Sequence, residues 1–186
     1  MSTSNLDSKQ FKGVAVDGRN FSQMLQGIGV RETNFRGLNH VFRQKIGDPH
    51  KFVQRPRYAV PEDLCKRGKR LHDDLMRAGI LPRAVSSFGE ADDAAVIRWG
   101  SRYIQDPKVV DVVVVTCDTE ILQYLLSEGA RRYLGGDKDF RLHVLGSLAI
   151  EGGGRCAMRT SLLRAFGKLT FVNFYDVRQF RGVIAK

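Results

Sequence analysis

The run Val110-Asp111-Val112-Val113-Val114-Val115-Thr116 constrains this chain more than any other segment. Consecutive β-branched side chains are stiff at χ1 and favour extended backbone. A strand wetted on one face would alternate apolar and polar residues. This one does not, so it needs cover on both faces, as in a parallel sheet carrying helices on each side. The flanking pattern supplies such a sheet. Phe11–Asp17, Ala84–Phe88, Arg141–Leu145 and Leu169–Tyr175 read as further strands. Helices are expected between them. One starts at Pro61-Glu62-Asp63 and ends at Gly79, with Leu64, Leu71, Leu75 and Ala78 on one face. Others cover Ala91–Gln105, Thr119–Glu128 (stopped by Gly129) and Ala157–Phe166. Alternating strands and helices predict an α/β fold, a mainly parallel central sheet in a three-layer sandwich.

At 186 residues the chain suits a single domain, expected over 11–186 behind a disordered tail at 1–10. The segment from about 22 to 61 lacks periodicity and holds Gly27, Gly29, Gly37, Gly47, Pro49 and Pro56. It reads as a basic insertion or long loop with one short helix. The longest apolar run, Val112–Val115, is far too short to span a bilayer. Met1–Gln10 has no apolar stretch of the kind a secretion signal needs. Cys65, Cys117 and Cys156 are far apart and odd in number, which disfavours a disulfide framework and fits a reducing cytoplasm.

The formal charge of +10 favours a polyanionic partner, nucleic acid first. The excess is uneven. Phe21–Pro61 has seven basic and two acidic residues, and Arg141–Lys186 has eight and two, whereas Glu62–Asp93 has six and seven. Basic segments thus flank a region rich in carboxylates, the combination a nuclease needs to hold phosphate and metal.

Three acidic sites follow predicted strands: Asp17, then Asp92 and Asp93, then Asp118 with Glu120. In open parallel sheets ligands bind outside the carboxyl ends of the strands. Acids gathered there repel one another unless a divalent cation neutralises them, and oxygen-only ligation favours magnesium or manganese. The competing reading is that each acid caps a helix, which suits Asp92, Asp93 and Asp118 individually.

Two of these acids sit in recognisable strings. Val14-Ala15-Val16-Asp17-Gly18-Arg19-Asn20 resembles the "φφφDGxN" opening of NYN domains, a branch of the PIN-like nuclease superfamily. Val112–Val115 with Thr116-Cys117-Asp118-Thr119-Glu120 resembles their "φφφSGDSD" segment, and Glu90-Ala91-Asp92-Asp93 stands where the family has "KGxD". The resemblance covers roughly residues 11–176 without the 22–61 segment. It implies a PIN-like sandwich with Asp17, Asp93 and Asp118 as the metal-binding triad and Asn20 as an orienting residue. By the same resemblance Thr116 matches the family serine and Glu120 replaces the second aspartate. Cys117 replaces a glycine, Glu90 stands near the lysine, and Asp92 competes with Asp93.

Arg19, Arg155 and Arg159 are the candidate cations for substrate, the last two beside the glycine-rich Glu151–Arg155 loop. Phe35, Phe42, Phe52 and Tyr58 are interleaved with basic residues and read either as stacking platforms for single-stranded RNA or as core aromatics. His40, His50, His72 and His143 show no paired metal spacing and read as surface or strand residues, and no GxSxG is present. The expectation is a metal-dependent ribonuclease, an endonuclease using magnesium or manganese on RNA, alone, as a homodimer or with a protein partner. The alternatives are a non-catalytic RNA-binding or scaffolding module on the same fold, and a DNA-directed nuclease.

Overall fold

The computed structural model describes residues 10–62, 69–86, 91–148, 157–158 and 160–186. Its centre is a seven-stranded sheet in which every ladder is parallel. The strands are β1 (Phe11–Asp17), β2 (Lys51–Phe52), β3 (Arg57–Pro61), β4 (Leu81–Val85), β5 (Val109–Val115), β6 (Arg141–Gly146) and β7 (Val172–Asp176). They lie in the order β4-β3-β1-β5-β6-β7, with β2 a short addition beside β1. The chain builds outward from β1 to β4, then returns to β5 on the other side of β1. The direction of winding therefore reverses between β1 and β5, where ligand crevices form in such sheets.

Helices cover both faces, and the three-layer α/β expectation is met. On one face lie α1 (Gly18–Gly27), α2 (Phe35–Gln44), α3 (Lys69–Arg77) and the short α7 (Arg181–Ile184). Phe21, Met24, Leu38, Val41, Phe42, Leu75 and Ile184 pack there on Val14, Val16, Val113 and Val115. On the other face α4 (Ala91–Gln105), α5 (Thr119–Leu134) and α6 (Thr160–Phe166) bury Trp99, Tyr103, Ile121, Leu125 and Phe166 against Ala15, Val112 and Val114. Successive valines of β5 thus enter opposite cores, which is why its sequence does not alternate.

At the amino-terminal edge the sheet encloses a polar group. Lys12 is wholly buried, and its Nζ donates to the carbonyls of Phe42 (3.1 Å) and Ile46 (2.5 Å). Asp111, its partner in the β1–β5 ladder, lies 2.8 Å from His143 Nε2 through Oδ1 and accepts from the Asp48 amide. His143 Nδ1 faces the Tyr175 hydroxyl at 3.4 Å, and that hydroxyl accepts from the Gly47 amide. A proton on His143 Nε2 satisfies both of its ring contacts. Gly47 has φ +65°, and a Cβ there would crowd His143, so the turn needs glycine twice over. Burial pushes the Lys12 ammonium below its usual range, against the opposing pull of Asp111 and Asp48.

Several sequence expectations change. The 22–61 segment is no bare loop: it supplies the end of α1, then α2, β2 and β3. Leu38, Val41 and Phe42 have helical spacing, but the polar Asn39 and His40 between them and the flanking Arg36 and Arg43 hid it. Phe42 and Tyr58 are core residues, Phe35 packs edge-on to Tyr58, and Phe52 lies under Arg43, so the core reading of these aromatics holds. Pro61 closes β3 and the expected helix begins directly after it, at Glu62, with 63–68 outside the described residues; β4 starts at Leu81, ahead of the expected Ala84. Phe88 and Leu64 lie outside the described residues, as does most of the 1–10 tail. The fifth helix runs through Gly129 to Leu134, because that glycine lets the Phe140 and Phe171 rings approach, each about 3.1 Å from where a Cβ would stand. The last strand starts at Val172 rather than Leu169, and residues 157–158 precede α6 without joining it. His143 is the strand residue of the two readings, buried within β6.

The entry to α1 is equally tight. A Cβ on Gly18 would overlap the Ala59 carbonyl oxygen and the Tyr58 ring, whereas one on Gly182 would meet nothing. Gly18→Ala is expected to cost about 1–3 kcal/mol by overpacking. That corresponds to a Tm lowered by about 2–12 °C for a chain of this size. Gly182→Ala is expected to leave Tm unchanged or raise it slightly, so equal melting curves for the two variants would refute this packing.

Candidate active site

The register Val16↔Val115 sets Asp17 and Thr116 side by side at the carboxyl ends of β1 and β5. Both are fully buried. Asp17 is the N-cap of α1: its Oδ1 accepts from the Asn20 amide at 3.0 Å. Its Oδ2 accepts from Asn20 Nδ2 (2.6 Å) and from the Thr116 hydroxyl (3.0 Å). The same hydroxyl accepts from the Asp118 amide at 3.0 Å, and Asn20 Oδ1 accepts from the Cys117 amide at 3.3 Å. One network therefore ties the end of β1, the first turn of α1 and the start of α5.

Asp118 caps α5, its Oδ1 accepting from the amides of Glu120 (2.8 Å) and Ile121 (3.1 Å). The carboxylate is half-buried, and Glu120 is exposed. The capping reading is thus correct for Asp118, Asp17 caps α1 as well, and Thr116 links Asp17 to the Asp118 amide.

The two candidate middle acids sit in different surroundings. Asp92 is buried, 2% exposed, and its Oδ2 lies 3.2 Å from Arg19 Nε. Its charge reaches Asp17. Asp93 is half-buried one helical position round, with contacts of its own. On α4 Asp92 shares a face with Val96 and Trp99, the core side of that helix. That spacing was the signal that could have separated the two acids. Arg155, Arg159 and Glu90 lie outside the described residues.

Sequence reasoning placed Tyr58 only as a stacking or core aromatic, not at this rim, and missed Ser147. Tyr58, from β3, is buried over Gly18, its hydroxyl donating to the Gly18 carbonyl at 3.4 Å. Burial, with the Asp17 charge beside it, raises its phenol well above the usual range. The Ser147 amide donates to Cys117 Sγ at 3.2 Å, which brings the end of β6 into the same rim.

Among the described residues no three His, Cys, Asp or Glu side chains form a ready-made metal cage. Asp17 and Asp92 face protein rather than solvent, and Arg19 partly neutralises Asp92. The donor chemistry still suits a hard cation. Magnesium is commonly held by one or two carboxylates with water and substrate phosphate completing its shell. Asp17, Asp92 and Asp118 offer such oxygens, and Asp118 Oδ2 makes no capping bond, but the structure does not gather the three into one cage.

Desolvation raises the Asp17 pKa above its ordinary 3.8, with a smaller push from Asp92, while bonds from Asn20 and Thr116 oppose the rise. A raised folded-state pKa in an acid contributes stability below the unfolded value and loses it as pH rises through the folded one. Removing the opposing donor by Thr116→Val is expected to raise the Asp17 midpoint further. Removing the like charge by Asp92→Asn is expected to lower it. Carboxyl-carbon NMR titration reads both, and shifts of the same sign in the two variants would contradict the network.

No family model, curated protein or solved structure matches the chain.

Proposed function

We propose that this chain is a metal-dependent ribonuclease, an endonuclease, working at the crevice between β1 and β5. The observation that carries the reading is Asp17: a carboxylate held fully out of water at the point where the winding of the sheet reverses. Burying a carboxylate is costly, and an uncharged residue would cap α1 as well. Acids perturbed by burial in such positions are associated with chemistry.

Asp17, Asp92 and Asp118 would hold magnesium or manganese, with Glu120 reaching in through water. When bound, the ion supplies charge neutralisation at the phosphate and a water of lowered pKa. The remaining work belongs to the chain. Asn20 fixes the Asp17 carboxylate and holds the Cys117 amide, which orients the turn leading to Asp118. Thr116 couples Asp17 to the Asp118 backbone. Arg19, whose side chain is 44% exposed, is the partner able to leave. A substrate phosphate competes for its guanidinium and frees the Asp92 carboxylate. Cys117 is buried and carries no disulfide, and the reading sets the reaction in the cytoplasm.

The test is cleavage of labelled single-stranded RNA with manganese, beside single-stranded and flap DNA. Asp17→Asn and Asp118→Asn are each expected to lose at least about 100-fold in rate, in line with the loss of metal-positioning groups. Both should keep the wild-type circular dichroism spectrum, and wild-type cleavage by both variants would defeat the proposal. Arg19→Ala is expected to raise KM more than it lowers kcat, as befits a phosphate-binding group. An unchanged KM would remove Arg19 from the substrate site.

One observation favours a second reading, a non-catalytic RNA-binding module: the acids are closed off and Asp92 is already ion-paired. Its mark is RNA retained in EDTA, with no products at any manganese concentration.

A further inference from the structure

A wholly parallel sheet has one edge where strands begin and one where they end, and here the two edges differ in sign. Acids close or follow the strands: Asp17 after the body of β1, Glu62 after β3, Asp118 after β5 and Asp176 at the end of β7. Cations open or precede them: Lys51 starts β2, Arg55 precedes β3, Lys108 precedes β5, Arg141 starts β6 and Lys168 precedes β7. The loop clamped on Asp111 adds Lys45, and the end of α5 adds Arg131.

The pairing differs as well. At the carboxyl edge Arg19 and Arg178 are ion-paired with Asp92 and Asp176. At the amino edge Lys45, Lys51, Arg55, Lys108, Arg131 and Lys168 are exposed, and their side chains make no ion pair or hydrogen bond among the described residues. Asp48, Asp106 and Asp139 interrupt this rim without balancing it. At the same edge the ends of α4 and α5 frame a cleft of about 550 Å³. Ile104 and Pro107 give it apolar wall; Glu128 and Asp137 also line it, Asp137 paired with Arg132, which leaves Arg131 as its free guanidinium among the described residues.

We propose that the amino edge is a nucleic-acid contact separate from the crevice: the unpaired cations hold the backbone of single-stranded RNA, and the cleft takes one unstacked base. Unpaired exposed cations bind phosphate by releasing counterions, and an apolar wall beside a guanidinium suits a base face. A recessed cleft is a poor match to a flat bilayer, which sets anionic lipid aside as the polyanion. The inference rests on the RNA reading above for its choice of polyanion, and it assigns most of the affinity to the edge away from the chemistry. β5, seven residues long, separates the two edges by about 20 Å at the usual rise per residue.

The test uses the full chain in EDTA and an unstructured oligouridylate, read by fluorescence anisotropy across a salt series. The variant K51A/R55A/K108A/R131A is expected to bind at least about tenfold more weakly. Its plot of log K against log salt should be shallower by about 3, since each single-strand phosphate contact contributes about 0.7. The charge-matched variant R31A/R36A/R83A/R98A, altered at exposed arginines elsewhere, should stay within about twofold of wild type. Equal losses in the two variants would overturn the proposal, as would unchanged RNA binding by the rim variant with loss of binding to phosphatidylserine vesicles. Cross-linking of wild type to thiouridine-substituted RNA guards against misfolding of the variants. Adducts are expected in peptides around Lys51, Lys108 and Arg131, and adducts confined to the carboxyl edge would overturn it. Failure of the nuclease reading appears separately, as absence of wild-type cleavage with manganese, and leaves this binding comparison readable.

Discussion

Everything at the crevice depends on the pairing of β1 with β5. Val14↔Val113, Ala15↔Val114 and Val16↔Val115 form a ladder with both faces buried. Because side chains alternate, a slip by one residue would drive one core's residues into the other, and two packed faces forbid it. That register brings Asp17 to Thr116, Thr116 to the Asp118 amide, and Asn20 to the Cys117 amide. The polar network is thus positioned by apolar packing two to four residues away. A core substitution in these strands would disturb the acids without touching them.

The crevice also shows what such positioning costs. Asp17 is held by its donors in a place that favours its neutral form, and Asp92 lies close by with Arg19 as partner. The arrangement is self-consistent without any added ion, with cap, ion pair and bridging hydroxyl all satisfied. On the nuclease reading proposed above, opening of the site is tied to whatever draws Arg19 away from Asp92. Both proposed readings of the chain turn on that pair.

The architecture was legible because β5 and the helices α4 and α5 carry unmixed signals. Val112–Val115 can only be a strand covered on both sides, and the helices after β4 and β5 show clear apolar faces. The segment between β1 and β3 was illegible for a physical reason. The helix there is short, its mean composition is polar, and its burial comes from three or four side chains amid arginines. The β3 strand, RYAVP, is equally short and ends in proline, a residue that sequence reading assigns to helix starts. At the site, Asp17, Asn20, Thr116 and Asp118 could be named from adjacent strings, since each lies next to a strand end. The choice between Asp92 and Asp93 could not be read from strand adjacency, because it depends on which face of α4 meets the sheet. Tyr58 and Ser147 reach the rim from β3 and β6, and no local motif marks them.

Lys12 carries a consequence for the order in which the chain assembles. Its ammonium lies in β1, yet its carbonyl acceptors come from the last turn of α2 (Phe42) and from Ile46 just beyond it. Until that helix has formed and folded back, dehydrating Lys12 brings no compensating bonds. Strand β1 is made before α2 yet is sealed only once the region around α2 is in place, which acts as its lock.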